Sequence, residues 1–189
     1  MDLGCGTGDI VTKIGWDYDK FVGVDSAPGM CDKHPKSSSV IVLNNNFEDK
    51  YFQDQIQQET PFDLVISSSA LQWAEDIEKL IQFTSTLSKN IAFAIFTCNT
   101  FADIYKLSNL PVFLPNAKDL IEITKKYFDV DYEIKTYRIE FEDNISKFRY
   151  IKRSGVSGGK RKLSLKQTKK LIEDYPHTYL EFEVLYIYN

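Results

Sequence analysis

The chain has 189 residues, 43% hydrophobic and 26% charged, the balance of a globular protein and not of a disordered one. That length supports one domain with a real core, taken here as residues 1–189, whereas two full domains would be unusual. A net charge of −4 argues against a dedicated nucleic-acid binder, and no run approaches the roughly 18 apolar residues of a membrane span. Cys5, Cys31 and Cys98 are an odd set without zinc-ligand spacing, so reduced thiols and no metal are expected. No secretory leader is recognisable, which makes a cytoplasmic monomer the expectation.

The sequence opens on Asp2-Leu3-Gly4-Cys5-Gly6-Thr7-Gly8, a strand end, a glycine-rich turn and a helix start. Alternate glycines let the backbone take positive φ and leave no Cβ between it and a ligand. The first strand is a stub, although strands usually run about five or six residues, so an N-terminally shortened form is expected. Ile10, Val11 and Ile14 then mark a short amphipathic helix. Phe21 to Val24 reads as the second strand, ending in Asp25. An acid at that tip, soon after a glycine turn, holds ribose hydroxyls in nucleotide-binding α/β folds, so a nucleoside ligand is expected.

Val40 to Leu43 reads as a third strand buried on both faces, followed by Asn44-Asn45-Asn46-Phe47. Pro61 to Ser67 is a strand entered by a turn, and Ile77 to Leu87 carries apolar residues at helical spacing. Ile91 to Thr97 is a nearly all-apolar fifth strand. Strands alternating with helices imply a parallel sheet. Further on come a helix over Asn116 to Phe128 and an alternating, half-buried strand over Tyr132 to Glu142. A helix led by Ser164 as N-cap and a last strand over Leu180 to Tyr188 complete the chain.

The run Asp2-x-Gly4-x-Gly6-x-Gly8 resembles motif I of the class I S-adenosylmethionine-dependent methyltransferases. The resemblance implies an α/β, Rossmann-like fold: a mostly parallel twisted sheet, helices on both faces and an antiparallel C-terminal strand pair. It implies S-adenosyl-L-methionine as cofactor, with Asp2, Gly4, Cys5, Gly6 and Gly8 around its methionine end and Asp25 and Ser26 at the ribose. Met30 matches a residue that packs on adenine, against the simpler reading of core filler. Many relatives carry an Asp near Asn46 that accepts from the adenine amino group; Asn46 departs from it but keeps an acceptor oxygen, and Phe47 is placed to stack. Ser67 ends the family's motif IV strand. Relatives also carry a lid helix before the first strand.

Ala70-Leu71-Gln72-Trp73 resembles the A-L-Q-W run of the malonyl-acyl-carrier-protein O-methyltransferases of biotin synthesis, and trans-aconitate methyltransferases are similar. Ser68 and Ser69 depart from the family's S-N-A-A-L-Q-W. The resemblance implies methyl transfer to a carboxylate of malonyl-acyl-carrier protein or malonyl-coenzyme A, with Gln72 and Trp73 in positioning roles. A basic helical insert over about 143–175 includes Lys147, Arg149, Lys152, Arg153, Lys160, Arg161, Lys162, Lys166, Lys169 and Lys170. Arg149, Lys152 and Arg153 are the candidate carboxylate ligands, and the lysines are candidates for steering an acidic carrier protein. Another small acid as substrate, or a cofactor-binding scaffold without catalysis, are the alternatives.

Overall fold

The computed structural model describes residues 1–154 and 163–189, with the side chain of Ser154 left out. Strands β1 (Asp2–Leu3), β2 (Phe21–Asp25), β3 (Val40–Asn44), β4 (Val65–Ser68) and β5 (Ile91–Phe96) are joined by helices α1 (Asp9–Lys13), α2 (Pro28–Cys31), α3 (Lys50–Ile56) and α4 (Ile77–Leu87). Helices α5 (Ala102–Ser108) and α6 (Ala117–Lys125) follow, then β6 (Asp131–Glu140), α7 (Asn144–Ser154), α8 (Leu165–Asp174) and β7 (Tyr179–Tyr188). The sheet order is β3-β2-β1-β4-β5-β7-β6.

The first five strands pair in parallel. Strand β7 runs the other way: Asn189 bonds at Ile91, where β5 begins, while Thr97 donates to the Glu183 carbonyl where β5 ends. The C-terminal pair is antiparallel, as the resemblance implied. Strand β1 has only two residues, yet both are buried and it lies between β2 and β4. Those side chains therefore face the interior wherever the chain goes before them.

The chain divides into two compact units. One holds Met1–Ile95, Lys118–Glu133 and Leu185–Asn189; Val11, Phe21, Val40 and Ile66 form a buried cluster in it. The other holds Phe96–Ala117 and Ile134–Val184, and is built around Phe101, Ile151, Tyr175, Leu180 and Phe182. There the Phe101 and Phe182 rings meet edge to face at 4.7 Å, a favoured aromatic geometry. Helix α8 starts as expected, with Ser164 and Gln167 forming a reciprocal capping box.

Two burial expectations are corrected. Strand β3 is not buried on both faces: it ends the sheet, and Ile41 is 40% exposed. Strand β6 is not half-buried: it ends the other side, and all ten residues are exposed. An edge strand has a neighbour on one side only, and alternation in sequence does not report whether a layer covers it. Lys147, counted with the basic run, is only 1% exposed. Its Nζ donates to the His177 carbonyl and lies 5.1 Å from the Tyr175 ring centre. Burial lowers its pKa, opposed by Glu140 and Asp143. Lys160, Arg161 and Lys162 lie outside the described residues.

Candidate nucleoside site

The glycine turn hangs from one carbonyl. Gly4 and Cys5 both donate backbone N–H to Val24 O, at 2.8 and 3.0 Å, so the turn is tied to β2 just before Asp25. Gly4, Gly6 and Gly8 all have positive φ, at 76°, 53° and 89°, the region that favours glycine. A Cβ on Gly4 would stand 2.1 Å from the Ala70 Cβ, and one on Gly8 would meet Pro35 at 2.5 Å and the His34 ring at 3.1 Å. At Gly6 a Cβ would meet nothing within 4 Å: the peptide there is bare on its outer side, as close approach by a ligand requires.

Asp25 is held from both sides. Its Oδ2 accepts from Gly6 N–H at 2.9 Å and its Oδ1 from Ala27 N–H at 2.8 Å. Each oxygen keeps a lone pair, so the carboxylate is aimed and still able to accept from two adjacent hydroxyls. Ser26 and Met30 are exposed beside it. Met30, 45% exposed, is therefore not core filler.

Asp2 is 1% exposed, and neither carboxylate oxygen has a partner among the described residues. Burial pushes its carboxyl up to about 7, against the pull of the chain's amino group and with a further push from Asp25. An orphaned buried acid is costly unless something pairs it. Cys5 is buried too, and burial, with help from Asp2, Asp25 and Cys31, pushes its thiol up to about 12. It is no nucleophile; its sulfur packs where a Cβ on Gly23 would stand, 2.8 Å away.

Phe47 lies at the turn, its Cε1 3.9 Å from the Cβ position of Gly4. Asn46 is exposed, and its side-chain oxygen accepts from Glu48 N–H at 2.9 Å, which holds the amide and leaves that oxygen a second lone pair. Ser67 is corrected: it is buried, and its hydroxyl donates to Leu3 O at 2.6 Å, tying β4 to β1 instead of facing a ligand. Gln72 is buried; its Nε2 donates to Ser69 O at 2.7 Å while Oε1 has no partner among the described residues. Trp73 beside it is 40% exposed.

His34, in no evident catalytic setting by sequence, is 3% exposed and packs beneath Gly8. Only the tertiary contact reveals it. Arg149, Lys152 and Arg153 are exposed on α7, in the other compact unit. Among the described residues no His, Cys, Asp and Glu group is arranged to hold a metal ion, and no helix is long and apolar enough to cross a membrane.

Residues 1–90 match the family described as a methyltransferase domain. No curated protein matches the sequence. Among solved structures, the chain resembles the YcgJ protein from Bacillus subtilis, with 13% identity and a TM-score of 0.65 over 99% of this chain and 88% of that one. It also resembles geranyl diphosphate C-methyltransferase from Streptomyces coelicolor, solved with Mg2+, geranyl diphosphate and S-adenosyl-L-homocysteine: 14% identity, TM-score 0.55, 100% and 70% covered. Phosphoethanolamine N-methyltransferase 2 from Haemonchus contortus, solved with S-adenosyl-L-methionine, gives 17%, 0.55, and 99% and 47%. At such identities the likeness shows the fold, the Rossmann-like fold of class I methyltransferases.

Proposed function

We propose that the chain is an S-adenosylmethionine-dependent methyltransferase whose acceptor is a free carboxylate, that of a malonyl thioester. The observation that carries the cofactor reading is Asp25, with one oxygen on Gly6 N–H and the other on Ala27 N–H. A carboxylate so held suits a ribose diol. The bare peptide at Gly6 and the orphaned Asp2 carboxyl suit the amino-acid end, whose ammonium is the donor Asp2 lacks. The domain match over residues 1–90 supports the same reading.

The bound cofactor supplies an electrophilic methyl group. A carboxylate acceptor is already ionised at neutral pH, so the chain has only to hold, align and desolvate it. The reading asks no base of the histidines: His34 is buried with Nδ1 at 2.8 Å from Pro35 O and Nε2 without a partner among the described residues, and His177 pairs with Asp103 at 3.0 Å. Gln72 and Trp73, next to Ala70 at the glycine turn, are assigned to positioning. The exposed guanidinium groups of Arg149 and Arg153 are assigned to gripping the acceptor carboxylate in two places, with Lys152 between them.

The choice of a malonyl thioester rests on the resemblance of Ala70-Leu71-Gln72-Trp73 and on those cations. Methyl transfer from labelled cofactor to malonyl-acyl-carrier protein, malonyl-coenzyme A, trans-aconitate and RNA tests it. Transfer to the malonyl thioesters is expected. Transfer to trans-aconitate alone would replace the substrate, and cofactor binding without transfer to any acceptor would favour a scaffold.

A further inference from the structure

We propose that Glu48 is a positioning residue for the transfer step: its carboxylate seats the turn that carries Gln72 and Trp73 beside the glycine turn. This rests on the function proposed above. Two segments reach the glycine turn from different parts of the chain. A Cβ on Gly4 would lie 2.1 Å from the Ala70 Cβ and 3.9 Å from Phe47 Cε1, so Ala70 and Phe47 flank the same peptide. Glu48 follows Phe47, and Glu75 and Asp76 come just after the short helical turn Leu71–Trp73. The Glu48 carboxylate joins the two segments. One of its oxygens accepts from Glu75 N–H at 2.9 Å and the other from Asp76 N–H at 3.0 Å. Hydrogen bonds to an ionised acceptor are the strong kind, and two at once fix direction as well as distance.

The near end of this bracket is firm. Glu48 N–H donates to Asn46 Oδ1 at 2.9 Å, and Gln53 Nε2 donates to Phe47 O at 3.0 Å. Asp49 caps α3 by accepting from Phe52 N–H at 2.9 Å, and Phe52 is buried. Within the Leu71–Trp73 turn the bonds are local: Trp73 N–H to Ala70 O at 3.0 Å, Ala74 N–H to Leu71 O at 3.1 Å, and Gln72 Nε2 to Ser69 O at 2.7 Å. Such bonds give the turn its shape but not its place in the fold. Ser69 anchors it where the chain leaves β4, by donating N–H to Ala94 O on β5 at 2.8 Å. Ser69 has a φ of 59°, which a residue with a Cβ keeps only where its surroundings enforce it. Glu48 anchors the same turn at its other end, where the chain enters α4.

Glu48 itself does not touch the reacting atoms. Methyl transfer needs donor sulfur, methyl carbon and acceptor oxygen in line, and a misplacement of about 1 Å caused from a distance costs about 100-fold in rate. Without the Glu48 carboxylate the exit of the turn is released, and Gln72 and Trp73 with it. Asp25 and the glycine turn keep their own bonds to Gly6, Ala27 and Val24. The loss therefore falls on kcat and spares the affinity for cofactor.

The test compares the full-length protein with its Glu48→Gln, Glu48→Ala and Asp49→Ala variants. Each is built on Trp16→Phe, so that Trp73, the other of the two tryptophans, is the sole emitter. Calorimetry reads the dissociation constant of S-adenosylhomocysteine, labelled transfer to malonyl-coenzyme A reads kcat and KM, and acrylamide quenching reads Trp73. Glu48→Ala is expected to lower kcat tenfold or more and to raise quenching, with the dissociation constant within twofold of the parent. Glu48→Gln, which retains one acceptor oxygen, is expected to fall between. Asp49→Ala removes the neighbouring cap of α3 and leaves the bracket, so it should melt earlier with the parent's kcat and quenching. Unchanged quenching or unchanged kcat in Glu48→Ala overturns the proposal, and so does an equal loss of kcat in Asp49→Ala. If the parent binds S-adenosylhomocysteine but methylates no malonyl thioester, the acceptor reading fails, and the quenching shift, which needs no acceptor, decides the bracket. If the parent does not bind S-adenosylhomocysteine, the cofactor reading falls and this proposal with it.

Discussion

Gly6 N–H donates to Asp25 Oδ2 at 2.9 Å, so the middle glycine of the turn and the acid at the tip of β2 orient one another. Asp25→Ala removes both the ribose acceptor and this strut. Affinity for S-adenosylhomocysteine should fall by about 1.5–3 kcal/mol, the range for hydrogen bonds to a charged group. Isothermal titration reads it directly, and an unchanged dissociation constant would sink the ribose assignment.

Gly4 and Ala70 share one volume. A Cβ at Gly4 would overlap the Ala70 Cβ at 2.1 Å, and the backbone there has φ of 76°. Gly4→Ala should therefore destabilise the fold through left-handed strain of about 1–3 kcal/mol with the overlap added. Combining it with Ala70→Gly should recover the overlap part and leave the strain. Urea melts of the two single variants and the double variant separate the contributions; a Gly4→Ala protein as stable as wild type would contradict this geometry.

Asp2 makes stability depend on pH. Its folded pKa is raised, from 3.8 to about 7, by burial. The folded state thus holds a proton that the unfolded state has released, and stability falls as pH rises from about 4 through 7. The full effect is at most about 4 kcal/mol. Asp2→Asn removes this slope, so the difference in melting temperature between variant and wild type should grow in the variant's favour from pH 4 to 8. A difference that stays constant would mean that Asp2 is ionised in the fold at every pH tested.

The basic helices separate docking from chemistry. Lys166 and Lys170 are exposed on α8, and exposed charges steer association over a screening length of about 8 Å at physiological salt. Reversing both to Glu should lower kcat/KM for malonyl-acyl-carrier protein and flatten its salt dependence, while a small malonyl thioester is turned over as before. Arg149→Ala or Arg153→Ala should impair both substrates, because a lost carboxylate clamp affects alignment itself. Equal losses on both substrates from the lysine reversals would favour a small acid as acceptor.

The order of strands and helices was legible because a period of two or 3.6 is written locally, and so was the glycine turn, since glycine takes its three positive φ angles without steric cost. The Ser164 cap was legible for the same reason. What escaped depends on partners distant in sequence. Ser67 looks like a ligand-facing hydroxyl until its bond to Leu3 O is seen, and Lys147 looks like one more surface cation until His177 is found above it. Asn46 is held at shorter range, where Glu48 N–H takes one lone pair of its side-chain oxygen and leaves the other. The short helices α2, α3 and α5 have too few turns to register a period.

Strand β6 has a consequence for how the protein behaves in the tube. Its outer rim lies at the end of the sheet, with Tyr132, Ile134, Tyr137 and Ile139 between 37% and 48% exposed. Such a rim is a template for stacking further strands. Each of those four residues adjoins a charged one, drawn from Asp131, Glu133, Lys135, Arg138 and Glu140, and charges so placed act as gatekeepers against fibril growth. Colloidal stability is therefore an ionic property of this one ribbon: concentrated salt, which screens those charges, is the condition under which the protein should gel, and dilute buffer the one in which it should keep.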